Sequence, residues 1–210
     1  MLLNAQGSAL PGLISGAQGG ALFIVSGPSG VGKGTIVKAL LERDAQTRVS
    51  VSVTTRAPRP GEVEGESYFF RTPAEFERMV KSDELLEFAK FGDHWYGTPR
   101  QFVEEQLSAG FDVILEIEVQ GGIQVREKMP GGVYIFVLPP STASLVERLK
   151  NRRSESPEAI EQRLKMVDGE LSHLSAYDYR VVNDDLERAV QKFQAIFSAE
   201  RCRVHRSGSR

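Results

Sequence analysis

Cysteine is almost missing from this chain: Cys202 is the single one in 210 residues. That excludes an internal disulfide and a cysteine-rich metal site, and leads us to expect a reducing compartment, the cytoplasm. Histidine is scarce as well, and His94, His173 and His205 form no motif. No apolar run approaches the roughly 20 residues of a membrane-spanning helix, so no membrane partner is expected. An excess of one charge is also lacking. Lys and Arg number 26 and Asp and Glu 28, a net charge of −2, which argues against a general nucleic-acid binder. Affinity for phosphate would have to come from local clusters. The opening "MLLNAQGSALPGLISGAQGG" has no basic n-region of a secretory signal. Residues 1–19 and the basic 201–210 are expected to be tails.

What is present is ordinary for a globular protein: 40% hydrophobic and 26% charged residues, enough length for one compact domain with small inserted pieces. "ALFIVS" (Ala21 to Ser26) is a short, continuously apolar run, as in a strand buried on both faces. It runs into "GPSGVGKGT", after which Ile36, Val37, Leu40 and Leu41 recur at helical spacing. Strand, glycine-rich turn and helix are the context of a phosphate-binding loop, with backbone N–H groups of Gly27, Pro28's neighbours Ser29 and Gly30, Val31 and Gly32 converging on phosphate and Lys33 reaching the β- and γ-phosphates. The usual hydroxyl after the lysine is replaced by Gly34 and arrives one place late, at Thr35. Either Thr35 meets a magnesium ion, or water fills most of its shell. Glu116 and Glu118 close the apolar run "FDVILEIE"; period-two spacing would set both on one strand face, where they could anchor metal-bound water or simply be solvated.

Elsewhere, "RVSVSVTTR" (Arg48 to Arg56) reads as the start of a strand. Thr72, Pro73 and Glu75 form a capping box with a proline start for a helix ending near Ser82. Between Thr54 and Thr98 many short strand-like pieces suggest a small β-rich insertion. "GVYIFVLPP" and "YRVVND" are further strands, and a last helix carries Leu186, Val190, Phe193 and Phe197 on one stripe. Strands alternating with helices imply an α/β fold with a mostly parallel sheet covered on both faces, and ligands beyond its C-terminal strand ends. Arg56 and Arg59 in a Pro/Gly-rich loop, with Tyr68 after them, could grip a phosphate dianion, although a solvated charged loop is the simpler reading of the composition. "ERLKNRRSESPEAIEQRL" places Arg148, Arg152, Arg153 and Arg163 around a helix start at Ser156 and Pro157.

Taken in order, "GPSGVGKGT", "SVTTRAPRPGE", "LLEFAKF…WYGTP", "ILEIEVQG", "LPPS…ERLKNR…I.QRL" and "VVND" resemble the guanylate kinases, from about Leu22 to Ala199. The resemblance implies a P-loop core (20–51, 99–147 and 164–200), a GMP-binding insertion (52–98) and a helical lid (148–163), within one domain over 20–200. It implies transfer of the ATP γ-phosphoryl group to GMP, with magnesium carried as MgATP, by a monomer or small homo-oligomer. Matched positions would be Arg56, Arg59 and Tyr68 at the GMP phosphate, Tyr96 as a further phosphate or ring contact, Ser52, Glu87 and Thr98 at the base, and Arg148, Arg152 and Arg163 as lid arginines beside Lys33. Asn183 would touch adenine. Glu116 and Glu118 match acidic positions, one often aspartate, that contact GMP, metal-bound water or both. The alternative is a catalytically silent interaction module of the same fold; "GKGT" is also similar to adenylate kinases, but the Ser52, Glu87 and Thr98 set favours guanine.

Overall fold

The computed structural model describes residues 19–151, 167 and 169–203, with the side chains of 148–151 outside the description. Five parallel strands form the main sheet: β1 (Leu22–Ser26), β2 (Thr47–Val49), β7 (Asp112–Glu116), β8 (Val133–Leu138) and β9 (Tyr179–Val182), in the order β2-β7-β1-β8-β9. β1 is central and buried at every position. Its apolar run is continuous because both faces are covered: Phe23 and Val25 face one core, Leu22 and Ile24 the other.

On the first face lie α1 (Lys33–Leu41) and the C-terminal helix α6 (Leu186–Arg201). Phe197 stacks on Phe23 with ring centroids 3.7 Å apart. Burying each such ring stabilises the fold by about 1.5–3 kcal/mol. Val190, Phe193 and Phe197 are buried as the stripe predicts, but Leu186 is 40% exposed and Ala189 is buried in its place. Leu186 is the first residue of the helix, where the turn capped by Asp185 has not yet reached the sheet. On the second face pack α3 (Arg100–Ser108) and α4 (Val119–Lys128), through Val103 and Val125. α5 (Thr142–Asn151) follows β8.

A second, four-stranded sheet, β4-β3-β6-β5, is made by β3 (Val53–Thr54), β4 (Phe69–Phe70), β5 (Leu85–Phe91) and β6 (His94–Pro99). β5 and β6 are antiparallel around the turn at Gly92, and α2 (Pro73–Lys81) packs on the sheet through Phe76. Thr72 and Glu75 make the capping box at the start of α2, worth about 1 kcal/mol. The run from Arg48 to Arg56 is two strands rather than one. Arg48 and Val49 pair with β7 in the main sheet, whereas Val53 and Thr54 pair with β6 and β4 in the second. Ser50, Val51 and Ser52 carry the chain between the sheets without a turn, so the sequence alternation does not mark the change.

α4 is fastened to the edge strand β5. The Gln124 amide accepts from Phe88 N at 3.2 Å and donates to Phe88 O at 3.1 Å, standing in for a missing neighbour strand. Lys128 Nζ donates to Leu85 O at 2.7 Å and to Asp83 at 2.6 Å.

Candidate active site

The phosphate loop springs from the buried end of β1. Gly27 and Gly32 adopt φ of 147° and 98°, in the region open to glycine, and Gly32 caps α1. A Cβ on Gly27 would fall 2.3 Å from Val137 O, so the loop also lies against β8 too closely for a side chain. Asn183 braces it: its Nδ2 donates to Val31 O at 2.8 Å. Lys33 is buried and donates from Nζ to Gly27 O at 2.5 Å, with Glu118 Oε1 at 3.7 Å. Pro28, Ser29, Gly30, Gly32, Lys33, Gly34, Thr35, Glu116 and Glu118 line a groove of about 400 Å³.

Glu116 and Glu118 reach this groove by different routes. Only Glu116 belongs to β7; Glu118 is the N-cap of α4, so the two do not share a strand face. The strand ends at Glu116 because the chain turns at once into the helix. Burial pushes the Glu116 carboxyl up, against the pull of Lys33 and helped by Glu118. The Glu116 oxygens lie 3.3 and 3.4 Å from where a Cβ of residue 34 would stand. Glu170, which the sequence did not single out, lies in the same carboxylate group. Burial foremost, then Glu118, pushes it up to about 7.

One helical turn further along α4 a second site begins. A Cβ on Gly121 would fall 2.8 Å from Glu87 Oε2. Glu87, on β5, is 6% exposed, and Thr98 on β6 donates to its Oε1 at 2.7 Å. Burial raises the Glu87 carboxyl, with Thr98 opposing. From Glu118 to Gly121 is about 4.5 Å of helix rise, so α4 separates Lys33 from Glu87 by a single turn. Tyr96 and Thr98 alternate on β6 and face the same way. Ser52 precedes β3, and its carbonyl accepts from Phe69 N at 2.8 Å.

The arginine loop closes the far end. The Arg56 guanidinium donates to Ala57 O at 2.8 Å and to Glu62 Oε1 at 2.7 Å, with the Tyr68 ring 5.4 Å away and the Tyr96 hydroxyl beside it. Tyr68 and Tyr96 meet edge to face at 6.0 Å. Arg59 is tied to the same carboxylate through its backbone: its N donates to Glu62 Oε2 at 2.7 Å.

The guanylate kinase family model matches residues 20–200. The chain belongs to the guanylate kinase family. It is 53% identical over 188 residues to a guanylate kinase of Caldanaerobacter subterraneus subsp. tengcongensis, covering 90% of this chain and 91% of that relative. It is 51% identical over 187 residues to one of Desulfitobacterium hafniense, covering 89% and 94%. The solved guanylate kinase from Anaplasma phagocytophilum superposes with a TM-score of 0.71 at 36% identity, covering 89% of each chain.

The residues singled out from the sequence thus fall into three groups around α4 and β6: the phosphate loop with Thr35, Glu116 and Glu118; Glu87 and Thr98; and Arg56, Arg59, Tyr68 and Tyr96. Arg152, Arg153, Arg163, Ser156 and Pro157 lie outside the described residues. Arg148 falls in α5, its side chain outside the description. Sequence reading passed over Glu62 and Gly121. Their signals were the carboxylate three places after Arg59 and the paired glycines inside a helix, "VQGG".

Proposed function

We propose that this chain is an ATP:GMP phosphotransferase, giving ADP and GDP reversibly. The observation that carries the reading is the buried Glu87 carboxylate, held by Thr98, one helical turn from the phosphate loop. Guanine offers N1–H and N2–H donors beside the O6 acceptor; adenine has no 2-amino group and no N1–H. In this reading the Glu87 carboxylate accepts from both guanine donors and the Ser52 hydroxyl donates to O6, while the Thr98 hydroxyl, whose one proton goes to Glu87 in the nucleotide-free chain, would have to turn from Glu87 to do the same. With adenine, the carboxylate would lose its partners and oppose a ring nitrogen lone pair. Sites of this kind reject the analogue lacking the donor by large factors.

The remaining groups divide the work. Arg56 and Arg59, with Tyr68 and Tyr96, hold the acceptor phosphate. Lys33 leaves Gly27 O to meet the transferring phosphoryl group, the loop amides hold the donor phosphates, and Asn183, already braced on the loop, contacts adenine. The lid arginines Arg148, Arg152 and Arg163 neutralise charge when the lid closes. Phosphoryl transfer between two anions rests on positioning and charge neutralisation, so no protein nucleophile or dedicated base is needed. Closure excludes water and limits ATP hydrolysis. The insertion (52–98) and lid (148–163) are the moving parts of this scheme.

The groove fits a magnesium ion delivered with ATP. Its protein donors are oxygens, the Thr35 hydroxyl and the Glu116 and Glu118 carboxylates, as a hard cation prefers. Bound there, magnesium would neutralise the β- and γ-phosphates, with water and phosphate as its main ligands. Among the described residues no helix is long and apolar enough to cross a membrane. We place the enzyme in the cytoplasm as a monomer or small homo-oligomer acting on small molecules, not nucleic acid. A coupled assay with MgATP and GMP, AMP, CMP or UMP tests the reading: GMP should be phosphorylated far faster, and equal rates would refute it.

A further inference from the structure

We propose that Glu62 is a positioning residue of the acceptor-phosphate clamp, holding the Arg56 guanidinium and the Arg59 backbone in the geometry that receives the GMP phosphate. The inference rests on the GMP-kinase reading above. "RPGE" (Arg59 to Glu62) is a β-turn closed by Glu62 N donating to Arg59 O at 3.0 Å. Pro60 sets its first corner, and Gly61, with φ 87°, its second. The turn folds the Glu62 side chain back over its own opening residue, so its two oxygens are shared: Oε2 takes the Arg59 amide and Oε1 the Arg56 guanidinium, each at 2.7 Å. The ion pair is partly buried, with side-chain exposures of 12% for Arg56 and 21% for Glu62.

Arg56 is thereby fixed on several sides, by Ala57 O, Glu62, the Tyr68 ring and the Tyr96 hydroxyl. A guanidinium carries five N–H donors in a rigid plane. One donor goes to Ala57 O and one to Glu62 Oε1, so the fork is oriented with donors left for a phosphate. The Glu62 carboxyl is held below its ordinary range, first by Arg56 and then by the Arg59 amide, so it stays ionised across neutral pH. The opposite reading makes Glu62 a stand-in for phosphate that GMP must displace. Displacement would also break the Arg59 amide contact that shapes the turn, which favours orientation over blockade. The two readings predict opposite signs.

The test is E62Q in the full-length enzyme, measured beside wild type. Initial rates give KM and kcat for GMP and ATP, and inhibition by guanosine reports base binding without the phosphate. Preorganisation predicts that KM for GMP rises about tenfold, with ATP KM, guanosine inhibition and melting temperature unchanged. R56K/E62Q should then be no worse than R56K alone. A fall in KM for GMP would establish blockade and overturn the proposal. So would an unchanged KM, or guanosine weakening in step with GMP. If wild type does not phosphorylate GMP, the kinase reading fails and this inference with it; if wild type does and E62Q matches it, only the inference fails.

Discussion

Gly121→Ala offers a way to damage base reading while leaving the fold intact. The new Cβ would stand 2.8 Å from Glu87 Oε2, 3.3 Å from Cδ and 3.4 Å from Cγ. Relief requires the carboxylate to retreat by roughly 0.6 Å, enough to weaken steeply a hydrogen bond that starts at 2.7 Å. In the free protein the retreat is cheap. Glu87 can turn toward the volume the base would fill, and alanine raises helix propensity by about 0.5–1 kcal/mol over glycine. With guanine bound that volume is taken, and the carboxylate loses its alignment with N1–H, N2–H or Thr98. One hydrogen bond to a charged group contributes about 1.5–3 kcal/mol, which converts to roughly a 10- to 150-fold loss in kcat/KM for GMP. AMP turnover, which gains nothing from Glu87, should change little, so the GMP-to-AMP ratio shrinks by the same factor. Steady-state kinetics with both nucleotides, together with thermal unfolding, provides the readout. Wild-type kcat/KM for GMP in G121A would refute the placement of Glu87 at the base. A melting temperature lowered by many degrees would show that the glycine serves packing of α4 instead.

Two further predictions concern stability. Glu170 is raised to about 7 by burial and by Glu118. The folded chain therefore holds that proton more tightly than the unfolded one between pH 4.5 and 7, and stability of the nucleotide-free protein falls as pH rises through that window, by about 1 kcal/mol for a half-buried group. Thermal melts from pH 5 to 8 should show the decline, and E170Q should flatten it. Arg201, on α6, bridges Asp44 and the 4% exposed Asp112 at the N-terminal end of β7. R201A would leave Asp112 with the Ala21 amide as its remaining described hydrogen-bond partner. It should cost about 2–3 kcal/mol and lower the melting temperature by roughly 4–10 °C. Both KM values should be unchanged, because the site lies at the other end of the strand.

What the sequence disclosed was local. The phosphate loop, the apolar run of β1 and the capping box at Thr72 each lie within a few neighbouring residues, so spacing alone reveals them. What it concealed depends on partners far along the chain. Alternation from Arg48 to Arg56 is the same whether one sheet or two receives it; only the pairing with β7 and then β6 divides it. Glu118 keeps period-two spacing with Glu116 although the strand ends at Glu116 and Glu118 caps the helix that follows. Gly121 faces Glu87 from another element, and Gln124 completes the edge of a strand 36 residues earlier. Glu62 is a nearer case, missed because arginine, proline and glycine at that loop also describe a solvated turn.

Gly34 shows how a local oddity acquires a tertiary cause. In sequence, the loop lacks a hydroxyl after its lysine, and the acidic position at 116 carries a glutamate. In space these are one feature. The Glu116 carboxylate comes within 3.3 Å of the missing Cβ, closer than most side-chain neighbours tolerate in a packed interior. A serine at 34 would press on that carboxylate, and an aspartate at 116, one methylene shorter, would leave room for it. The longer acid therefore favours the smaller residue, because a side chain at 34 is accommodated only if the Glu116 carboxylate gives way by a few tenths of an ångström. Under the proposed function, an oxygen donor of the kind a hard cation prefers would then reach that flank of the groove from Glu116, at the end of β7, instead of from position 34 in the first turn of α1.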